Sequence, residues 1–188
     1  MLRKRLQSLD PIVAITVALV VAAIMAFAFV LTAAPASAGT GGVTMDGTSG
    51  KPGKAKLKKN GKAVPPSNAP RRVVKAIKAG NRIRKKPYKW GGGHSSFKDR
   101  GYDCSGAVSY VLKGAKMLKS PLDSTGLMSW RKRGKGKWIS VYANSGHTFV
   151  VVAGLRFDTS GSGGKGPRWR KEKRSKRGFK ARHFSKRF

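Results

Sequence analysis

The spacing of apolar residues changes along this chain from helical periodicity to strand-like runs, and that change constrains the fold. Apolar residues recur at helical spacing in residues 70–83 and again in residues 104–115. Residues 137–142 and 147–160 are instead rich in β-branched and aromatic side chains, which is typical of strands. Helices followed by antiparallel strands predict an α+β fold, with N-terminal helices packed on an antiparallel sheet.

A long apolar block precedes this region. Three basic residues at positions 3–5 lead into an apolar run over residues 12–31, and Ala36-Ser37-Ala38 then fits the small-residue cleavage pattern of an export signal. The run is also long enough to span a bilayer as an uncleaved anchor. Residues 1–38 are therefore predicted to be a signal peptide or an N-terminal membrane anchor. Either alternative predicts a secreted or cell-wall-associated protein whose membrane contact, if any, is through residues 12–31.

The stretch between this block and the first helix is rich in Gly, Lys, Pro and Ser, so residues 39–69 are predicted to be a disordered basic linker. The remaining residues, 70–188, are predicted to form one domain. Its last part, residues 165–188, contains 12 Lys or Arg and a single acid, Glu172, and is interpreted as a basic C-terminal tail with a weak final strand in "GFKARHF".

Charge indicates the partners. The chain has 41 Lys plus Arg against 7 Asp plus Glu, a formal net charge of +34, which predicts attraction to polyanions. An exported protein meets the anionic polymers of the cell wall before it meets nucleic acid. Anionic cell-wall polymers are therefore the expected partners, and no specific nucleic acid is expected.

The chain has one cysteine, Cys104, at the start of the second helical stretch. A lone cysteine cannot form an intramolecular disulfide, and it cannot supply the several thiolates of the usual structural zinc site. The first turn of a helix has unpaired N–H groups and a favourable dipole, and both stabilise an anion. Thiols in that position have lowered pKa values, so the sequence favours Cys104 as a nucleophile over a buried structural residue.

A nucleophilic thiol needs a base, and the chain offers three histidines. His94 lies in the glycine-rich loop "GGGHSSF", where we expect a rim residue, and His183 lies in the basic run, where we expect a solvated strand end. His147 opens the most apolar strand, which would fix its imidazole on a rigid element. The sequence therefore predicts His147 as the base.

The imidazole also needs an orienting partner on its other nitrogen. If Ala153-Gly154 forms a two-residue hairpin turn, Asp158 on the return strand shares the face of His147 and lies one diagonal step away. A three-residue turn would bring Thr159 to that face instead. Asp158 is the predicted orienting residue and Thr159 is the alternative.

Three motifs together resemble the NlpC/P60 family of cysteine peptidases: "PYKWGGG" from Pro87, "DCSG" from Asp103 and "SGHTFVVV" from Ser145. The resemblance covers about residues 70–160. It implies a papain-like core, a bacterial source, no cofactor or metal, and hydrolysis of peptide bonds in the stem peptides of peptidoglycan. On the matching positions, Cys104 corresponds to the nucleophile, His147 to the base and Tyr88 to the tyrosine that lines the family's active site.

The chain also departs from the family pattern. The family's third polar residue is most often His, Asn or Gln, whereas this chain has "FDTS" there, and "GKGKWISVY" replaces the Gly-Asp-Leu segment that usually precedes the histidine strand. These departures place the chain on a divergent branch. Two hypotheses follow: a cysteine endopeptidase, or a catalytically silent cationic module that binds the cell wall, or less favourably nucleic acid, on the same fold.

Overall fold

The structure is a computed structural model that describes residues 50–161, 165–185 and 188. The predicted signal peptide or anchor at residues 1–38 lies outside the described residues. Within the described part, no helix combines the length and the hydropathy that crossing a membrane requires.

The described part is α+β, as predicted, with three helices and eight strands. The helices are α1 (Arg71–Ile83), α2 (Cys104–Gly114) and α3 (Ser124–Met128). The strands are β1 (Lys56–Leu57), β2 (Ala63–Val64), β3 (Lys132–Arg133), β4 (Ile139–Ala143), β5 (Thr148–Val152), β6 (Leu155–Asp158), β7 (Arg168–Lys171) and β8 (Lys180–His183).

Strands β3–β8 form one antiparallel sheet in the order β3-β8-β4-β5-β6-β7. Helix α1 packs on α2, and α2 packs on β5 and β6. The core lies between these layers and is made of fully buried aliphatic and aromatic side chains, among them Ile77, Val111, Leu112, Val150 and Phe157. Burial of such a face, rather than helix propensity, holds α2 against the centre of the sheet.

The described part of the predicted disordered linker is ordered, which corrects that prediction from residue 50 onward. Strands β1 and β2 pair as a short hairpin around Asn60-Gly61, and Gly61 has a φ of +76°. The hairpin is fixed to the domain by two contacts: the Asn81 side chain of α1 bonds both backbone groups of Ala63, and the Ala55 N–H donates to the Ala153 carbonyl at 2.8 Å. Small buried side chains and backbone hydrogen bonds supply order that the Lys- and Gly-rich composition does not predict.

The basic C-terminal segment is part of the sheet and not a tail. The weak strand predicted in "GFKARHF" is β8, which pairs with both β3 and β4 inside the sheet. Trp169 of β7 is 4% exposed, and its ring lies 4.7 Å from that of Phe157. Lys171 and Lys180 are exposed, whereas Trp169, Arg182 and His183 on the same strands are buried, so a charge count alone cannot distinguish such strands from a solvated tail.

Candidate active site

Cys104 is the first residue of α2, and Asp103 caps the helix. The Asp103 carboxylate accepts a hydrogen bond from the Gly106 N–H at 2.7 Å and another from the Gly91 N–H at 3.2 Å. The cap ends the preceding extended segment, so Cys104 lies in the first helical turn, among its unpaired N–H groups. One carboxylate therefore connects the glycine-rich loop to the helix that carries the thiol.

The glycines of the two motifs allow the loop to approach this helix closely. A Cβ atom on Gly106 would overlap the Gly92 carbonyl oxygen, and one on Gly92 would overlap the Gly101 carbonyl oxygen. The glycine of "DCSG" is therefore required by packing. This packing sets the position of the loop beside Cys104.

We expect Gly106→Ala to destabilise the fold by about 1–3 kcal/mol, because the added methyl group must displace the loop backbone or the helix. The melting temperature should fall by roughly 3–10 °C. Gly50→Ala is the matched control, since a Cβ there meets nothing within 4 Å and its change should be negligible. Equal melting temperatures for both variants would show that the loop adapts freely.

His147 immediately precedes β5 and is held by a turn. Its backbone N–H donates to Asn144 Oδ1 at 2.8 Å, and the Asn144 N–H donates back to the His147 carbonyl at 2.9 Å. The ring centroid of His147 lies 6.5 Å from that of Phe149 and 6.4 Å from that of Phe179. The imidazole is therefore fixed by backbone and aromatic contacts together.

The hairpin register predicted from the sequence is the register in the structure. Val152 pairs with Leu155 across a two-residue turn, and Ala153 and Gly154 have φ values of +47° and +81°, as a type I′ turn requires. This register brings Asp158 to His147, and His147 Nε2 donates to Asp158 Oδ1 at 2.9 Å. The alternative residue, Thr159, also lines the cleft, but the His147 imidazole is hydrogen-bonded to Asp158.

Asp158 has no exposed side-chain surface and is surrounded by donors. It accepts hydrogen bonds from the Ser160 N–H and the Ser160 hydroxyl, both at 2.9 Å, and from Arg174 Nη1 at 3.3 Å. Burial raises the pKa of this carboxyl, but the hydrogen bonds from His147 and Ser160 and the charge of His147 outweigh burial and lower it to about 2. Asp158 is therefore ionised at every pH at which the protein would work.

The surroundings lower the pKa of the thiol and raise that of the imidazole, and both shifts favour an ion pair. Burial raises the pKa of Cys104, but a hydrogen bond to His147, the Thr148 N–H and the charge of His147 lower it overall. Burial lowers the pKa of His147, but hydrogen bonds to Asp158 and Cys104 raise it to about 9. Since Nε2 is bonded to Asp158, Nδ1 is the ring nitrogen that remains for the thiol. This arrangement stabilises a thiolate beside an imidazolium.

A cleft of about 650 Å³ opens above Cys104 and His147. Tyr88 lines it with 39% of its surface exposed, and burial followed by the charges of Cys104 and Asp103 raises the Tyr88 pKa, so the phenol stays protonated as a donor. Trp90, also in the lining, is 87% exposed. The structure thus brings the four predicted site residues, Cys104, His147, Asp158 and Tyr88, to one place.

The sequence prediction missed several residues at this site, among them Arg156, whose Nε lies 3.2 Å from Asp158 Oδ2. Ser124, the first residue of α3, places its hydroxyl 3.9 Å from the Cys104 sulfur, and Arg174 bonds both Asp158 and Ser160. The sequence Asp-Ser-Thr from Asp123 is typical of a helix start and could have predicted α3. Arg174 carried no signal, because it is one cation in a long basic run.

Of the other two histidines, His94 lines the cleft, where a rim residue was expected, whereas His183 is buried. His94 Nε2 lies 2.9 Å from Asp103 Oδ2 and 3.0 Å from the Ser105 hydroxyl, so two polar contacts fix this imidazole although it lies in a glycine-rich loop. His183, predicted to be solvated, is 9% exposed, and its Nδ1 lies 3.0 Å from the Ser185 carbonyl.

In the described part of the chain, no three His, Cys, Asp or Glu residues are grouped to hold a metal ion.

A scan of the chain against protein-family models finds no match, and a search of curated proteins finds no matching relative. The functional argument therefore depends on the residues of the cleft and on their geometry.

Proposed function

We propose that this chain is an exported cysteine endopeptidase, similar to the NlpC/P60 family, that hydrolyses peptide bonds in peptidoglycan stem peptides. The observation that carries the proposal is a thiol at a helix N-terminus with a histidine hydrogen-bonded to a buried carboxylate beside it. A helix bearing the nucleophile that packs on strands bearing the base and its orienting residue supports a papain-like core as the finer description of the α+β fold.

The proposed chemistry is thiol acyl transfer. The Cys104 thiolate attacks the carbonyl carbon of the scissile bond and forms a tetrahedral oxyanion. In this proposal the Cys104 backbone N–H, at the start of α2, and the Tyr88 hydroxyl, in the cleft lining, donate hydrogen bonds to that oxygen. Protonated His147 gives its proton to the leaving amine as the C–N bond breaks, which leaves an acyl-enzyme.

In the second half of the reaction, neutral His147 accepts a proton from water, and the resulting hydroxide attacks the acyl carbon. The C–S bond breaks, the acid product leaves, and the thiolate and imidazolium are restored. Asp158 keeps the ring in one tautomer and stabilises its positive charge through both steps.

The choice of substrate rests on the motif resemblance, and the net charge of +34 supports it, because peptidoglycan is surrounded by anionic wall polymers. The rival function, a catalytically silent wall-binding module, is favoured by the same charge but leaves the lowered thiol pKa without a role.

Digestion of purified peptidoglycan tests the proposal. We expect the protein to release muropeptide fragments in which each cut has produced one new amino group and one new carboxyl group, with masses that identify the cut bond. We expect the Cys104→Ala protein to release none. If neither protein cleaves peptidoglycan over the pH range from about 5 to 9, the binding module replaces the peptidase.

A further inference from the structure

Five cationic residues form a patch around the first turn of α1; three lie on α1 itself and two lie in the segments that follow α2 and α3. We call Arg71, Arg72, Lys75, Lys116 and Arg131 the cationic patch. Arg71 and Arg72 precede Lys75 by four and three residues on α1, so these side chains are neighbours on the helix surface. Burial and then the charges of Lys116, Arg71 and Arg72 lower the pKa of Lys75. Arg72 Nη1 donates to the Lys116 carbonyl at 2.8 Å, which fixes the first turn of α1 to the segment that follows α2.

Two guanidinium groups of the patch share one aromatic ring. Arg72 and Arg131 each lie 5.1 Å from the Phe184 ring centroid, and Arg72 also lies 5.8 Å from the ring of Phe188. Cation–π contacts hold these side chains in place while solvent still reaches them. The patch is therefore partly preorganised and is not a set of freely moving lysines.

Two of the cations occupy an unfavourable backbone conformation. Lys116 has a φ of +58° and Arg131 a φ of +51°, in the left-handed region where Gly or Asn would be less strained. Besides Ala153 in the β5–β6 turn, these are the residues other than glycine with positive φ in the described part of the chain. Lys116 holds this conformation at the end of α2, where the Met117 N–H donates to the Leu112 carbonyl and the Lys116 N–H donates to the Lys113 carbonyl, both at 2.9 Å. The end of the helix therefore sets the position of this cation in the patch.

No acidic residue neutralises the patch within the described residues. Asp99 pairs with Lys89 and Glu172 pairs with Lys176. The other three described acids, Asp103, Asp123 and Asp158, line or border the cleft or cap its helices. The five cations repel one another, and without an internal counterion this repulsion destabilises the fold. A bound external anion offsets it.

We propose that the cationic patch is a docking site for a phosphodiester polymer without bases, such as the polyol-phosphate chains of a cell wall. Several cations distributed over three chain segments match a repeating anion better than a single small one. Guanidinium groups, which make up most of the patch, match phosphate oxygens through paired N–H donors.

The absence of a stacking surface at the patch argues against single-stranded nucleic acid. Binders of single strands stack bases on exposed aromatic rings. Phe188 is 8% exposed, and two guanidinium groups already lie against Phe184. The one strongly exposed aromatic side chain in the described residues, Trp90, lies at the cleft.

A binding assay tests this site without turnover, so its outcome is independent of the proposed peptidase activity. The test variant is Arg71→Gln/Lys75→Gln/Lys116→Asn, and Asn tolerates the left-handed backbone at position 116. The matched control is Lys56→Gln/Lys58→Gln/Lys59→Gln, which removes three exposed lysines of the β1–β2 hairpin. That hairpin bonds to Asn81, which lies about 9–15 Å along α1 from the patch residues of that helix.

With poly(glycerol phosphate) as the probe at low salt, we expect the test variant to lose at least about tenfold more affinity than the control. The slope of log K against log salt should fall by about three for the test variant, because about three phosphate contacts are lost. Arg71→Gln alone should reduce that slope by about one. If the triple variant has a low melting temperature, this single exposed substitution still tests the proposal.

Equal losses for the test and control variants would overturn the proposal, since they would show that only diffuse charge matters. Tighter binding of the unmodified protein to single-stranded DNA than to poly(glycerol phosphate) of the same phosphate number would overturn it as well. Tighter binding to the polyol phosphate, with loss confined to the patch variant, supports it.

Discussion

Cys104 in the folded protein should react with iodoacetamide at mildly acidic pH, near 6, where an ordinary thiol with a pKa of about 8.5 is almost inert. Burial alone would raise the pKa of Cys104, but the hydrogen bond to His147, the Thr148 N–H and the charge of His147 lower it. The rate of alkylation measured against pH should follow the thiolate and reach its plateau well below the pH at which free cysteine does.

Substitution of the thiol should separate chemistry from stability. Cys104→Ser should reduce peptidoglycan hydrolysis to background, because a hydroxyl is a far weaker acid than a thiol and His147 cannot hold it ionised. Cys104→Ala should be equally inactive with an almost unchanged melting temperature. A slow-reacting thiol in the wild-type protein, together with a clear loss of stability in Cys104→Ala, would show that Cys104 is a core residue.

His147→Ala should lower the hydrolysis rate by about 10²–10⁴-fold, because it removes both the partner of the thiolate and the acid that protonates the leaving amine. The variant should also abolish alkylation at mildly acidic pH, since the thiol pKa loses its main lowering contacts. His94→Ala is the control. It removes a histidine that is bonded to Asp103 and Ser105, and it should keep most of the activity.

The pH profile tests the role of Asp158. The pKa of His147 is raised to about 9, so the ion pair exists from the lowered thiol pKa up to about pH 9, and activity should fall as pH rises through that value. Asp158 itself, with a pKa lowered to about 2, stays charged over this whole range. Asp158→Asn removes the negative charge that raises the His147 pKa, so the alkaline limb should move to lower pH.

Measured kcat/KM against pH for the wild-type and Asp158→Asn proteins decides this point. An alkaline limb that stays in place in Asp158→Asn would show that the carboxylate does not set the ionisation of His147. In that case Thr159, the alternative at the same edge of the cleft, would be the next residue to change.

Much of the fold and of the candidate site follows from short-range patterns. The change from helical spacing to β-branched runs predicted the α+β order, and the helical spacing of residues 104–115 predicted a helix that begins at Cys104. The Ala153-Gly154 turn fixed the β5–β6 register and so placed Asp158 beside His147. These features depend on contacts within one hairpin or one helical turn, where backbone geometry leaves few alternatives.

One local signal was outweighed by composition. Asn60-Gly61 is typical of a tight hairpin turn, yet the surrounding Lys, Gly and Pro predicted disorder for residues 39–69. Two-residue strands bury too little surface to reveal themselves in a hydropathy pattern. Their order comes from Asn81 and Ala153, which lie far away in the sequence.

The sequence by itself determined the element order, the helix that carries the thiol and the hairpin that pairs His147 with Asp158. Only the tertiary structure decided that β8 inserts between β3 and β4, that Ser124 and Arg174 reach the site, and that the patch cations converge. The physical reason is that local patterns record backbone conformation and burial. Pairing between distant segments is chosen by the packing of the whole core, and a charged side chain on a strand has the same sequence pattern whether it faces solvent, a carboxylate or another cation.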